Sequence, residues 1–411
     1  MEVISSMGNE QISDGWTWKS LFEVSERIMV GIASAATHAY RRQGVPLLRN
    51  QNIKPGVLDD GDLLFVAPEY EASFKNKRLR IGDLITMRTG YPGVTAIVPE
   101  TYDSAQSFTT LITRPKKDEV NPAYLCFYIN SEFGKRFFSQ SEIGGAQKNV
   151  NVAMLRNMPI PLPPLPEQRA IATALSDMDA LLDGLDRLIT KKRAIKQATM
   201  QQLLTGQVRL SGFSSDWGVK RLEDLADIRS GGTPSTGDAA AWDGAIPWCT
   251  PTDITALEGR KYLTTTNRTI TEHGLRNSSA ELIPAYSIVM TSRATIGECA
   301  INTTPMATNQ GFKNLVPFDF VDVDFLYYLL STQTQGLVGL SAGSTFLEIG
   351  KAQLRQYEIR LPPTKSEQTA IATILSDMDT EIAALETRRT KTRALKQAMM
   401  QELLTGRTRL V

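Results

Sequence analysis

The side chains that could do covalent chemistry are few and scattered. Two histidines, His38 and His273, and three separated cysteines do not have the spacing of a zinc site. The run Asn121–Tyr124 is only superficially like the (N/D)PP(Y/F) motif of methyl transfer, and we interpret it as a helix start. Residues 350–352 (GKA) lack the upstream glycine and the hydroxyl of a nucleotide-binding loop. The sequence therefore predicts no catalytic residue and no metal site.

Composition indicates a folded protein with enough residues for two or three domains. The chain has 411 residues, of which 42% are hydrophobic and 22% charged, and its formal net charge is +1. No apolar run approaches the roughly 18 residues of a membrane helix, and the first residues lack the pattern of a signal peptide. With scattered cysteines, this predicts a cytoplasmic protein. No segment is strongly basic, so bulk charge does not predict nucleic-acid binding.

A segment of 44 residues occurs twice, with a constant shift of 200 positions. Glu167–Leu210 and Glu367–Leu410 share 27 identities, and the blocks AIATxLSDMD and LLTG recur in both copies. A repeat of such a long period sets the architecture of a chain. The two copies must therefore do the same structural job.

Each copy is predicted to be one helix of roughly 39 residues, far above the usual ~11–12. Apolar residues recur at steps of four and three, the 3.5-residue period of a coiled-coil seam. Two ordinary core helices are the alternative. After a slip of about one residue, the seam is predicted to resume at Ile195/Leu395, Ala198/Ala398 and Leu203/Leu403. The predicted seam residues are Ile171, Leu175, Met178, Leu182, Leu185, Ile371, Leu375, Met378, Ile382 and Leu385.

Helix-end signals flank the repeated segments. Thr364 with Glu367 has the spacing of a capping box. Gly206 and Gly406 stand where a left-handed residue ends a helix.

The two stretches between the helices are distant copies of each other. Residues 82–98 match 286–302 with one gap. Short apolar runs bounded by glycine and proline predict strands, while PAYLCFYINSEFGKRFF and VDFLYYLLSTQTQ predict amphipathic helices. Each globule is therefore predicted to be α+β. The predicted divisions are a polar tail (1–15), a first globule (16–166), a first helical region (167–210), a second globule (211–366) and a second helical region (367–411).

The order globule, helix, globule, helix has a geometric consequence. If the helices pack together, the second must run antiparallel to the first, which predicts pseudo-twofold symmetry. A helix of this length spans ~58 Å at 1.5 Å per residue. The predicted architecture is a two-helix spacer with a globule at each end.

Several of these motifs resemble the specificity subunit of Type I restriction–modification systems. They are LPPLPEQRAIATALSDMD, LPPTKSEQTAIATILSDMD, the two LLTG ends and the GGTPS run at 231–235. The resemblance covers the chain from about residue 16 to 410. The chain departs from it at 364–366, where TKS replaces the PLP of 164–166, and at 31–34, where GIAS replaces GGTPS.

The resemblance implies a non-catalytic subunit that binds double-stranded DNA. In that family, two target-recognition domains each read half of a bipartite sequence, and the helices hold them apart and dock methyltransferase subunits. The resemblance implies two methyltransferase subunits as partners, and a motor/nuclease subunit can join the complex. It also implies that this chain holds no cofactor and that the methyltransferase uses S-adenosylmethionine. The different globules imply an asymmetric target. The alternatives are a coiled-coil protein scaffold without DNA, and a fused enzyme whose catalytic part was lost or is encoded nearby.

Donors on loops are the predicted DNA contacts, since such side chains suit base edges and phosphates. For each one, an ordinary solvated role is the alternative. Arg88 and Arg293 stand out because both follow a strand in the aligned segment. In the first globule the predicted contacts are Arg41, Arg42, Arg49, Lys77, Arg78, Arg80, Arg88 and Lys148. In the second they are Arg229, Thr233, Ser235, Arg260, Lys261, Arg293, Asn309, Gln310 and Lys313.

Basic residues also cluster in the later part of each long helix. The clusters are Lys191, Lys192, Arg193 and Lys196 in the first copy, and Arg388, Arg389, Lys391, Arg393 and Lys396 in the second. They are interpreted either as a solvated face that complements the helix dipole or as contacts to phosphate or an acidic partner.

Overall fold

A computed structural model describes residues 13–140, 149–341 and 348–410. The chain divides into two compact units. Unit 1 comprises Met1–Asp186 with Thr387–Val411, and unit 2 comprises Arg187–Glu386. Each unit therefore holds one globule, half of the first long helix and half of the second. Within the described ranges, no helix combines the length and apolarity needed to cross a membrane.

Unit 1 contains two four-stranded sheets and one strand pair. The first sheet has the order β2-β9-β6-β7 and is antiparallel throughout, while the second has the order β3-β5-β4-β8 with β4 and β8 parallel. The antiparallel pair β1-β10 lies at the end of the globule where the long helix begins. The strands are β1 Thr17–Ser20, β2 Ser25–Val30, β3 Tyr40–Arg41, β4 Val45–Leu48, β5 Leu64–Val66, β6 Leu84–Thr86, β7 Thr95–Ile97, β8 Gln106–Ser107, β9 Leu111–Pro115 and β10 Pro159–Leu162.

The helices of unit 1 begin with α1, Pro68–Ala72. The predicted single helix after Asn121 is two helices, α2 Pro122–Asn130 and α3 Glu132–Gln140, because Ser131 adopts an extended backbone. The predicted helix start is confirmed, since the Asn121 side chain accepts from two backbone N–H groups of the first turn. A short helix, α4 Val152–Arg156, precedes β10.

Unit 2 repeats this plan, with one strand more in its first sheet and one strand fewer in its second. Its five-stranded sheet has the order β12-β19-β16-β17-β14, its three-stranded sheet β15-β13-β18, and its end pair β11-β20. The strands are β11 Gly218–Arg221, β12 Ala226–Ser230, β13 Trp242–Cys249, β14 Tyr262–Leu263, β15 Arg268–Ile270, β16 Ile288–Thr291, β17 Cys299–Asn302, β18 Ala307–Thr308, β19 Phe312–Pro317 and β20 Glu358–Leu361.

Among the described residues, unit 2 has five short helices and unit 1 has four. The helix predicted from VDFLYYLLSTQTQ is again interrupted, here into Val323–Ser331 and Thr334–Gly339. The long helices are α5 Leu165–Leu203 and α11 Lys365–Leu403. The short helices of unit 2 lie between them: α6 Pro251–Thr255, α7 Glu272–Arg276, α8 Val323–Ser331, α9 Thr334–Gly339 and α10 Lys351–Arg355. The predicted α+β class is confirmed in both units.

The long helices α5 and α11 have 39 residues each, as predicted. Gly206 and Gly406 have φ values of 71° and 74°, so both are left-handed terminating residues. The Glu367 N–H donates to the Thr364 hydroxyl at 3.4 Å. Within each unit the helix halves run antiparallel. Ion pairs join Asp186 to Arg389 in unit 1 and Lys192 to Glu381 in unit 2.

The apolar seam is buried in the early part of each helix. Ile171, Leu175, Ile371 and Leu375 are at most 1% exposed. Leu185 and Ile382 are also buried, and the predicted seam positions 178, 182, 378 and 385 are half-buried. Each buried stripe packs into the core of its own globule, together with the last leucines of the other helix.

Of the three pairs predicted to continue the seam after a slip, Leu203 and Leu403 are buried as predicted, but the other two pairs are wrong. Ile195 and Leu395 are 41% and 55% exposed, and Ala198 and Ala398 are exposed too. The heptad register instead continues through half-buried lysines: Lys196 pairs with Asp379 in unit 2, and Lys396 pairs with Asp179 in unit 1. A lysine can bury its aliphatic stem in a seam while its ammonium group reaches a carboxylate, so no slip is needed.

The recurring EQ dipeptide joins each helix start to its globule. Glu167 accepts from Arg409, through Nε and Nη2, and from Trp16 Nε1 at 3.2 Å. Gln168, which is fully buried, accepts from the Asn121 N–H at 2.8 Å and donates to the carbonyl of Pro163.

Unit 2 has the same arrangement around Glu367 and Gln368. Arg209 donates to Glu367 at 2.7 and 2.9 Å, and Trp217 Nε1 donates at 3.2 Å. Gln368 accepts from the Asp322 N–H at 2.9 Å. We call each Glu–Arg–Trp set a latch, because it ties the turn after one long helix to the start of the other.

Candidate nucleic-acid interface

The GGTPS run of unit 2 is a loop packed tightly against a second loop. A Cβ atom on Gly231 would lie 1.8 Å from the Asn309 carbonyl oxygen, and one on Gly232 would lie 2.2 Å from the carbonyl carbon of Ser279. The Gly232 N–H donates to the Thr308 carbonyl at 2.8 Å. Only glycine allows this approach, so the glycine pair fixes the loop against residues 308–310.

This contact brings predicted DNA contacts together. Thr233 donates its hydroxyl proton to the Gln310 side-chain oxygen. The Asn309 carboxamide accepts from the Gly311 N–H at 2.9 Å, which holds its side chain in one orientation. Ser235 is exposed on the same loop. The second globule therefore presents several hydrogen-bonding side chains on two loops that brace each other.

Two tryptophans support the loop from below. Trp248 Nε1 donates to the Gly232 carbonyl and Trp242 Nε1 to the Ser235 carbonyl, both at 3.0 Å. Their rings meet edge to face at 5.0 Å between centroids. The indole N–H groups are therefore satisfied by the loop backbone, and the loop is held on a rigid aromatic base.

Arg268 extends this surface, and sequence reasoning missed it. Its guanidinium carbon lies 3.7 Å from the centroid of the Trp242 ring and 5.4 Å from that of Trp248. The residue is exposed, and it pairs with Trp248 across β13 and β15. The available signal was two tryptophans six positions apart in one strand, which share a face. A guanidinium stacked in this way is preoriented for bidentate hydrogen bonding.

Arg293, predicted from its place after a strand, forms part of an ion-pair cluster. Its Nη2 atom lies 2.8 Å from Glu348, which also lies 3.5 Å from Lys313 Nζ. Burial lowers the pKa of Lys313 although Glu348 opposes this effect. Burial raises the pKa of Glu348, but its bonds to the two cations outweigh burial and the net shift is downward. Lys313 is therefore a buried partner of Glu348, while Arg293 remains exposed at the surface.

The first globule uses the same close approach with different side chains. A Cβ atom on Gly31 would lie 2.3 Å from the Ser107 carbonyl oxygen, so the GIAS run is held as the GGTPS loop is. Asn50 connects two predicted contacts: it accepts from the Arg88 N–H at 3.3 Å, and it neighbours Arg49 in sequence. Arg49 itself pairs with Asp62 at 2.9 Å.

The other predicted contacts of unit 1 differ in how free they are. Arg41 donates to backbone carbonyls, and Lys77 donates to the Gly31 carbonyl at 2.8 Å. Arg78 forms a bidentate pair with Glu71. Arg42 and Arg80 are exposed. Lys148 lies outside the described residues.

Three remaining candidates already have partners within unit 2. Arg229 pairs with Asp227 at 2.8 Å, and Arg260 donates to two backbone carbonyls of its own turn. Lys261 is buried: its ammonium group lies 2.6 Å from Asp324 and 2.8 Å from the Ser376 hydroxyl. Such burial leaves Lys261 without a surface from which to reach DNA.

The basic residues of the long helices are largely occupied by the antiparallel helix. In unit 2, Lys192, Arg193 and Lys196 pair with Glu381, Glu386 and Asp379. In unit 1, Arg389 and Lys396 pair with Asp186 and Asp179. These pairs join one helix to the other, an interpretation that the sequence did not suggest.

Nucleophilic and metal-binding groups do not form a site within the described residues. Burial raises the pKa of the Cys126 and Cys299 thiols to about 12 and that of Cys249 further still. Such thiols are protonated near neutral pH and are weak nucleophiles. Across the ranges 13–140, 149–341 and 348–410, no cluster of three His, Cys, Asp or Glu residues could hold a metal ion.

Comparisons with known proteins match both halves of the chain. Two specificity subunits of Methanocaldococcus jannaschii are similar to it. The chain is 42% identical over 166 residues to the Type I restriction enzyme MjaIX specificity subunit, covering 40% of this chain and 38% of that protein. It is 26% identical over 421 residues to the putative type I restriction enzyme MjaX specificity subunit, covering 97% and 95%.

Solved structures share the fold. The HsdS subunit from Thermoanaerobacter tengcongensis has a TM-score of 0.53 at 20% identity, covering 98% of this chain and 99% of that one. The Type-I restriction-modification system S subunit from M. genitalium has a TM-score of 0.59 at 14% identity, covering 96% and 97%.

The family model described as "Type I restriction modification DNA specificity domain" matches this sequence twice, at residues 14–196 and 214–393. These two matches cover both globules and most of both long helices. The chain therefore belongs to the family of Type I restriction–modification DNA specificity proteins.

Proposed function

We propose that the chain is the DNA sequence-recognition subunit of a Type I restriction–modification complex. Each globule reads one half of a bipartite, asymmetric DNA target. The long helices set the spacing of the two halves and dock methyltransferase subunits.

The observation that carries this proposal is the double occurrence of a specificity domain with different surface donors in its two copies. The second globule presents Thr233, Gln310 and Arg268 on loops braced by glycines and tryptophans. The first presents Arg49 and Arg88 on loops joined by an asparagine. Two scaffolds of one plan with different donors favour two different half-sites.

The chemistry is assigned to partner subunits. The matches to specificity subunits over most of the chain support a non-catalytic role for this chain. A methyltransferase subunit, expected in two copies, would carry S-adenosylmethionine, and a motor/nuclease subunit can join. The cytoplasmic location stays a prediction.

Sequence-selective binding is the direct test. The full chain is purified with its methyltransferase partner, and retained duplexes are sequenced from a random pool. The expected result is a bipartite motif with two unlike halves, and the same motif should carry the modified bases of the source genome. The absence of sequence-selective retention by the complex would sink the DNA proposal and favour the scaffold.

Helix length supplies a second test. Seven residues inserted into each long helix, in the central half of the antiparallel pair, add about 10.5 Å at 1.5 Å per residue. At 3.4 Å per base pair this corresponds to about three base pairs. The expected outcome is a motif with unchanged halves and a longer gap, or loss of methylation. An unchanged gap with full methylation would show that the helices do not set the spacing.

A further inference from the structure

A basic cavity lies in unit 1, and two of its lining residues, Arg78 and Arg80, are among the predicted DNA contacts. It has a volume of about 520 Å³ and lies between the outer strand β2, the segment 75–81 and the turn after β9. Six of its lining side chains are basic, and Asp103 is its one acidic lining residue. The basic residues are Arg27, Lys75, Arg78, Arg80, Arg114 and Lys117.

Two of these cations are neutralised inside the protein. Arg78 donates to both oxygens of Glu71 at 2.6 Å. Arg114 donates to both oxygens of Asp83 at 2.9 and 2.8 Å. These bidentate pairs form fixed walls of the cavity.

None of the other four cations forms an ion pair with a carboxylate among the described residues, although Lys75 is close enough to Glu71 to lower the pKa of that carboxyl. Arg27 donates to the Asn76 carbonyl at 3.2 Å, and Lys117 donates to the Ile81 carbonyl at 2.8 Å. The Asp103 oxygens are taken by the Ile81 N–H and the Ser104 hydroxyl. The six positive charges exceed the three carboxylates Glu71, Asp83 and Asp103 by three, and the nearby Glu26, which acts on Arg114, leaves an excess of two.

Strand register adds an independent sign of an anion. Arg27 on β2 lies directly opposite Arg114 on β9. Like charges opposite each other across an antiparallel pair are destabilising. Asp83 neutralises the charge of Arg114, but no carboxylate among the described residues forms an ion pair with Arg27. An anion bound in the cavity would therefore relieve the repulsion between the two arginines.

The cavity is separate from the Arg88 loop. Asp83, which pairs with Arg114, precedes strand β6, and Arg88 follows it. Five residues of extended chain place them about 16 Å apart. A ligand in the cavity would therefore be held at the opposite end of β6 from the predicted base-reading loop.

We propose that this cavity binds phosphate groups. Guanidinium and ammonium groups around a polar, open cavity suit phosphate oxygens. Its occupant is either the backbone of bound DNA, which rests on the proposed function, or a free phosphate compound. A backbone contact here positions the first globule without reading sequence.

The test removes two exposed, unpaired cations and compares two readouts. The variant is Arg27→Ala/Arg80→Ala, and its control, Lys220→Ala/Arg276→Ala, removes two exposed cations from the other globule. First, DNA affinity of the complex is measured against salt concentration. Each lost phosphate contact should reduce the slope of log K against log[salt] by about 0.9. The slope measured for the variant should therefore be smaller by about 1.8, while the DNA motif that the complex selects stays the same. Second, thermal unfolding of the full chain is measured with pyrophosphate.

The outcomes separate the pocket from the function. A reduced salt slope in the cavity variant alone assigns the pocket to DNA phosphate. Stabilisation of the wild type by pyrophosphate that the cavity variant loses, with an unchanged slope, assigns it to a free phosphate compound. If neither readout distinguishes the variant from the control, the proposal is overturned. Should the complex show no DNA selectivity, the proposed function fails while the pyrophosphate result still decides the pocket.

Discussion

The Glu367 latch gives a prediction whose size follows from its burial. Glu367 is 1% exposed and accepts three hydrogen bonds, two from Arg209 and one from Trp217. The change Glu367→Ala would leave Arg209 without its carboxylate and the indole N–H without its acceptor. Breaking a buried pair by removing one partner costs about 3–5 kcal/mol. The Arg209 side chain is 24% exposed and can be partly rehydrated, so we expect a loss of about 3 kcal/mol.

A double-mutant cycle measures the pair itself. The free energy of urea unfolding is compared for wild type, Glu367→Ala, Arg209→Ala and the double variant. In thermal unfolding, about 3 kcal/mol corresponds to roughly 6–12 °C for a unit of this size. The control cycle uses Lys192 and Glu381, whose side chains are 33% and 50% exposed and should couple by at most about 1 kcal/mol. If the latch couples no more strongly than this surface pair, the reasoning from burial is refuted.

The remaining predictions concern the loops, the seam and acid stability. Gly231→Ala places a methyl group 1.8 Å from the Asn309 carbonyl oxygen and should abolish selectivity for the second half-site in random-pool selection. The control Gly237→Ala has no neighbouring atom closer than 3.9 Å and should keep that selectivity. Arg268→Ala should relax one position of that half-site by about 1–3 kcal/mol of discrimination, and an unchanged motif would remove this residue from the interface. Ile195→Ser should change the free energy of unfolding by less than about 0.5 kcal/mol. A much larger loss of stability would show that Ile195 belongs to the buried seam. The Arg78 hydrogen bonds lower the pKa of Glu71, although burial acts in the opposite direction. The ionised Glu71 therefore stabilises the fold at pH values above its pKa in the unfolded chain, and this stabilisation is lost as the pH falls through its pKa in the folded protein. Glu71→Gln should reduce the loss of unfolding free energy at acid pH, and an unchanged pH dependence would contradict the assignment.

Local signals in the sequence predicted the features that depend on neighbouring residues. The 3.5-residue period and the glycines at 206 and 406 predicted two 39-residue helices and their ends. Asn121 predicted a helix start because an N-cap needs only the next turn. The duplicated order of motifs predicted the shared α+β plan of the two units.

Features that depend on distant residues were not predictable in the same way. Lys261 is of a residue type that usually lies at the surface, but in the fold it is buried and its ammonium group contacts Asp324 and Ser376, which are distant in sequence. The seam passes through Lys196 because Asp379 on the other helix receives its charge. The predicted DNA contacts stay predictions, and Arg268 joins them only because β13 and β15 pair.

The connectivity of the two units has a consequence for synthesis on the ribosome. Unit 2 is one contiguous segment, Arg187–Glu386, whereas unit 1 needs Thr387–Val411 to complete its core. The globule made first thus waits for Leu403, Leu404 and Arg409, at the end of the chain, to complete its hydrophobic core and its latch. At about 5–20 residues per second, the first globule would stay incomplete for roughly 10–45 seconds after its own strands have emerged. Premature termination within the second long helix would therefore damage the first globule, which lies some 200 residues upstream.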